Sequence, residues 1–264
     1  MHVRGRAVRS RTLSFIALGV GALLTVECRG AAAQSPAMDP ALVANGHRLF
    51  NDTSLSGSGT RSCASCHPSN GHTDNKTYVG LAVVADGDPE GRSTPTLWGA
   101  GERAVYGWAG TAPSLEANIR GIIVNRMKGA EPSKEMLDAL AAYVRSLPHP
   151  NNPQLNDEGM PLPAASAQVK HGFDLFVGAA GCSTCHLPPS FDKAGVEDVG
   201  TGGKFKVPAL RAVSATAPYF HDGRTKTLAA AVRFMWEVHA KRSNTAGPAS
   251  EADVQDLVAY LSAL

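Results

Sequence analysis

The chain has 264 residues, 43% of them hydrophobic and 18% charged, with a formal net charge of +2. The basic excess lies in residues 1–33, which hold five of the 25 Lys and Arg and one of the 23 Asp and Glu; the remainder carries 20 against 22, a formal charge of −2. That balance excludes a basic nucleic-acid-binding field, and the roughly 230 residues after the first segment suffice for one large domain or two ordinary ones.

Residues 1–33 read as a secretory signal peptide. Arg4, Arg6, Arg9 and Arg11 form a basic start without an adjacent arginine pair, which favours Sec over Tat export. Leu13 to Val26 is apolar but shorter than the ~20 residues of a spanning helix, and Ala31-Ala32-Ala33 before Gln34 is a small-residue cleavage site. A retained N-terminal anchor is the alternative. Cys28 is a candidate lipoprotein cysteine, although Glu27 stands where a small residue is expected. The expected location is the periplasm.

Asp39-Pro40 then opens a helix, an N-cap followed by proline in the first turn. The motif Cys-Xaa-Xaa-Cys-His follows as Cys63-Ala64-Ser65-Cys66-His67 and returns as Cys182-Ser183-Thr184-Cys185-His186. This is the attachment pattern of haem c, in which the cysteines form thioethers and the histidine is the proximal iron ligand. A thioredoxin-like pair does not need the histidine, and a zinc site needs both motifs to converge. Two covalently bound haems are expected, on His67 and on His186. Loss of Cys28 with the signal leaves no cysteine for a disulfide.

The motif is part of a larger repeat. Gly46-His47-Arg48-Leu49-Phe50 is similar to Gly172-Phe173-Asp174-Leu175-Phe176. Pro95, Leu97, Ala104, Tyr106, Gly110, Leu115, Ala117 and Arg120 recur without a gap as Pro208, Leu210, Ala217, Tyr219, Gly223, Leu228, Ala230 and Arg233. Ser133 to Leu147 aligns with Ser250 to Leu264, where Ser250 and Asp253 resemble a capping box. Strand-like alternation is sparse, and no sheet is expected. The fold class is all-α, mainly helix with long loops, as two tandem cytochrome c-like domains, 34–150 and 164–264, joined by a linker at 151–163. The first and last helices of each copy are expected to cross, with Tyr143 and Tyr260 in the cores.

The chain resembles the bacterial di-haem cytochrome c peroxidases and the related MauG-type di-haem proteins. The resemblance rests on Phe205-Lys206-Val207-Pro208-Ala209-Leu210-Arg211, Thr216-Ala217-Pro218-Tyr219-Phe220-His221-Asp222-Gly223 and Ala231-Val232-Arg233-Phe234-Met235, and in the first half on Leu55-Ser56-Gly57 and Arg92-Ser93-Thr94-Pro95-Thr96-Leu97. It implies a high-potential second haem with Met235 as sixth ligand, a soft thioether that favours ferrous iron. It also makes His221 a neighbour of the ligands rather than a ligand, and puts Trp108 on an electron path between the haems. Calcium is a further candidate, with Thr216 and Pro218 at carbonyl-donor positions and Ser93 in place of the family's asparagine.

The first haem would be the peroxide site, and there the chain departs from the family. Ala85 stands near the place of the displaceable distal histidine. Ile122 to Lys128 supplies no distal carboxylate, Asn118 replaces a glutamine, and Trp-Asp-Gly has become Trp108-Ala109-Gly110. Arg126 can stabilise negative charge but accepts no proton at neutral pH. Met127 is either a sixth ligand for the first haem or a core residue. His72 is expected to stay on the proximal side. Asp86-Gly87-Asp88 reads as a solvated turn. The first reading is therefore an electron-transfer di-haem cytochrome served by a small redox protein. The second is a cytochrome c peroxidase acting on hydrogen peroxide, and the third a MauG-like oxidase acting on a partner protein. The resemblance also makes a homodimer a candidate.

Overall fold

A computed structural model describes residues 38–103, 105–243 and 247–264; the expected signal segment 1–33, Cys28 within it, and Ala104 lie outside these. Met38–Leu264 forms one unit. No helix among the described residues is long and apolar enough to cross a membrane.

Local chemistry sets the helix starts. Asp39 caps α1 (Pro40–Phe50) by accepting from the Ala41 N–H at 2.9 Å, and Pro40 occupies the first position, where no N–H is needed. After the Cys63–Ser65 turn come the short α2 (Pro68–Gly71) and strands β1 (Thr77–Val79), β2 (Ala82–Val84) and β3 (Arg92–Ser93). Ser114 caps α3 (Leu115–Gly121), which continues into a π turn at Ile122–Arg126, and Ser133 caps α4 (Lys134–Arg145). In the second half Ser166 caps α5 (Ala167–Val177), the turn Cys182–Thr184 follows, and β4 (Val196–Asp198) pairs with β5 (Lys204–Lys206). The helix α6 (Leu228–Ser243) leads to α7 (Glu251–Ala263), where Ser250 and Asp253 form the expected reciprocal cap.

The sheets correct the sequence expectation. Strands β2-β1-β3 form an antiparallel sheet in which Thr77 faces Ser93. Strands of two or three residues are too short to carry a visible alternation, and tertiary partners hold them. The Thr77 hydroxyl donates to Asp86 Oδ1 at 2.9 Å, and the Gly87 N–H donates to the Asp222 carbonyl at 2.7 Å. Asp86-Gly87-Asp88 is the exposed turn the sequence suggested, and it also ties the two halves together. The expected linker also packs: Leu155 enters the second core, and the Gly159 carbonyl accepts the buried Tyr260 hydroxyl at 3.0 Å.

Each half closes by crossing its first and last helices. A Cβ on Gly46 would lie 2.7 Å from Tyr143 Cβ and nearer still to the Ala139 carbonyl oxygen. A Cβ on Gly172 would lie 2.8 Å from Tyr260 Cβ and would overlap the Asp256 carbonyl oxygen. Backbones approach this closely only where no side chain intervenes. Tyr143 meets Phe50 edge-on at 5.0 Å, and Tyr260 meets Phe176 at 5.3 Å. Both tyrosines are buried, as expected.

Across α5 and α7, His171 Nδ1 lies 2.7 Å from Asp256 Oδ2. This hydrogen bond and charge raise the His171 pKa. A histidine raised in the folded state contributes stability below its unfolded value of about 6.5, and the contribution is lost as pH rises through the folded value. Asp256→Asn should therefore lower the urea midpoint more in mildly acidic than in alkaline buffer; equal losses in both would show the pair to be inert.

Candidate haem sites and the space between them

The second motif opens on a cavity of about 410 Å³, within the range of small-molecule and cofactor sites. Its lining includes Cys182, Cys185 and His186 together with Val232, Met235, Trp236 and His239 of α6. His186 Nδ1 is 2.8 Å from the Phe191 carbonyl, which can only accept, so this nitrogen carries the proton and Nε2 keeps its lone pair. Burial pushes the His186 pKa down, toward the neutral ligating form. Phe191 has φ +60°, a conformation that bulky residues avoid, and the Arg211 guanidinium over its ring at 5.1 Å packs that turn.

Cys182 and Cys63 are half-buried, and desolvation pushes each thiol up to about 12. Such thiols are poor nucleophiles, which argues against a thioredoxin-like pair. The described residues contain no cluster of three or more His, Cys, Asp or Glu able to hold a metal ion, which removes the zinc reading. The thiols, the neutral histidine and the apolar cavity fit a covalently attached haem.

At the first motif, burial pushes His67 down to about 4, and its Nδ1 is a buried polar atom without a hydrogen-bond partner. The half-buried Arg126 donates through Nε to the Gly80 carbonyl at 2.7 Å and lies 5.7 Å from the Tyr78 ring centroid. Tyr78 is buried near Cys66, and its hydroxyl donates to Asp74 Oδ2 at 2.5 Å. Sequence reading missed Tyr78 and Asp74; an aromatic and a carboxylate within eleven residues of His67 were the available signal.

The repeat aligns Ile122 with Met235 and Arg126 with His239. The π turn alters that register: Met127 N–H donates to the Ile122 carbonyl at 2.8 Å, and the buried residues there are Ile123 and Met127. π turns inside helices mark functional positions often enough to be notable. His239, four residues after Met235, lines the second cavity and packs against Gly181; it escaped the sequence reading because the motif match stopped at Met235.

Trp108 lines both the second cavity and a smaller one of about 80 Å³. Its Nε1 donates to the Ser93 carbonyl at 2.8 Å, and Ser93 N–H donates to the His221 carbonyl at 2.7 Å. His221 is buried and stacked on Phe205, with ring centroids 3.6 Å apart. His72 stacks on Trp98, with its Nε2 3.1 Å from the Ala215 carbonyl.

Thr216 and Pro218 also line the smaller cavity, but calcium does not fit there. The Pro218 carbonyl accepts the Ser93 hydroxyl at 3.2 Å, and the lining includes Arg103 and Lys206 with no carboxylate. A hard divalent cation takes six or more oxygens, and this site sets two cations among its few oxygens instead.

Fold and site together define a two-domain c-type cytochrome. The family model of di-haem cytochrome c peroxidase matches residues 40–147, and that of cytochrome c matches residues 169–264. Methylamine utilization protein MauG of Methylorubrum extorquens is 32% identical, over 86% of this chain and 79% of that protein. Cytochrome c peroxidase Ccp of Escherichia coli is 28% identical, over 86% of this chain but only 58% of its own longer one. A chain of hydrazine synthase from Kuenenia stuttgartiensis shares the fold with a TM-score of 0.69 at 24% identity, covering 100% of both chains. The protein belongs to the di-haem cytochrome c peroxidase and MauG family.

Proposed function

We propose that the protein is an exported, periplasmic electron-transfer cytochrome that passes electrons between two covalently bound haems and a small redox protein. The observation that carries this reading is the pair of inward methionines: Met235 enters the cavity that His186 lines, and the π turn buries Met127 on the matching helix of the first half. Haem supplies one-electron iron chemistry when bound. The chain's own part is to hold neutral imidazoles at His67 and His186 and to exclude water with an apolar lining. Trp108, between the two cavities, fits an electron path. Leu187, exposed directly after His186, offers apolar surface at that edge for a docking partner.

Peroxide reduction is the second reading, and Tyr78 favours it. A hydroxyl bonded to a carboxylate can move a proton, and Arg126 beside the ring can stabilise negative charge. The electron paramagnetic resonance spectrum of the haem-loaded protein separates the two. Two low-spin signals, oxidised and half-reduced, are expected for the carrier. A high-spin signal in the half-reduced form, with rapid stopped-flow peroxide reduction, would put the peroxidase first.

A further inference from the structure

Lys206, the last residue of β5, is 6% exposed and lines both the large and the small cavity. Its backbone N–H donates to the Trp108 carbonyl at 2.9 Å, which ties its strand to the Trp108 backbone. Its ammonium group makes no hydrogen bond or ion pair with the described residues. Arg103 comes from the first half. Its Nη2 donates to the Thr96 and Trp98 carbonyls at 2.8 and 3.0 Å, while its Nε is buried with no partner. The charged groups that face Lys206 are Arg103 and Asp192. Asp192 is itself buried, bonded to the Ser190 hydroxyl through Oδ1 and unpartnered at Oδ2. Two cations thus share one carboxylate in a buried space, and burial with Arg103 pulls the Lys206 amine down to about 7. Buried charge of this kind persists where a counter-charge completes it.

We infer that Arg103 and Lys206 form a carboxylate-binding site between the two halves, built to hold a propionate side chain of the bound haem. This rests on the reading that haem is attached at His186, whose cavity Lys206 also lines. The missing anion is a carboxylate rather than a cation's ligand shell, for the same reason that calcium does not fit. A small free carboxylate such as formate is the other source of this chemistry.

The test uses the haem-loaded protein with Lys206→Gln and Lys206→Arg, and follows the midpoint potentials of both haems against pH. Removing one of the two cations leaves the propionate's negative charge less well compensated, which favours ferric iron. Lys206→Gln should lower one haem's potential in neutral to alkaline buffer. It should also bring a new pH dependence as the propionate, no longer held ionised, takes up a proton near neutrality. Lys206→Arg should restore both, and formate added to the wild type should move neither. Two haems per chain with potentials and pH dependence unmoved by Lys206→Gln would overturn this inference alone. A formate-dependent potential in the wild type would overturn the propionate as the occupant. A chain that attaches no haem would overturn the functional reading and this inference with it.

Discussion

Gly172→Ala should destabilise the haem-loaded protein by about 3 kcal/mol, the upper end of what overpacking costs in a closed core, and Gly172→Val by more. The new Cβ would overlap the Asp256 carbonyl oxygen and press on Tyr260 Cβ at 2.8 Å, both at the α5–α7 crossing. Neither neighbour is the free end of a flexible side chain, so one helix must move. Tyr260 is fully buried and bonded through its hydroxyl to Gly159, so the movement spreads to the segment that joins the halves. Gly46→Ala should act in the same way at the α1–α4 crossing. Gly247→Ala, with no atom within 4 Å of the added carbon, is the control and should change little. Chemical unfolding would measure all three. A Gly172→Ala midpoint equal to that of Gly247→Ala would show that the helices do not cross at these glycines.

The second large effect is electronic. Met235→His should lower the potential of the second haem by a sizeable part of the ~0.8 V over which axial ligands set haem potentials, because imidazole favours ferric iron more than a thioether does. The side chain lies on α6 in the wall of the cavity that also holds His186, Cys182 and Cys185. His239, one turn further on, lines the same cavity and is available to replace a lost ligand, so Met235→Ala is read alongside Met235→Ala/His239→Ala. Redox titration followed by absorbance gives the answer. A potential unchanged in Met235→His would remove Met235 from the iron.

The haem-attachment motifs were fully legible in the sequence, because thioether attachment and proximal ligation depend on five adjacent residues. So were the helix starts at Asp39 and Ser250, which depend on a side chain reaching an N–H two or three positions on. The crossing helices could be read from glycines and tyrosines recurring at matching places in two copies. The short strands could not, since Thr77 pairs with Ser93 through a loop and with Asp86 through a side chain.

Two copies of a haem-binding helical unit can be read directly from the residues, because each copy's chemistry is local and its repetition is countable. What lies between them depends on packing. The π turn that buries Met127 depends on a hydrogen-bond register that side-chain spacing does not announce. Lys206 and Arg103 are far apart in the chain and meet only when the two halves pack, and burial there gives two ordinary cations a need for an anion. Ser93 and Pro218 are likewise distant, and their hydrogen bond takes up a carbonyl that the resemblance had assigned to calcium.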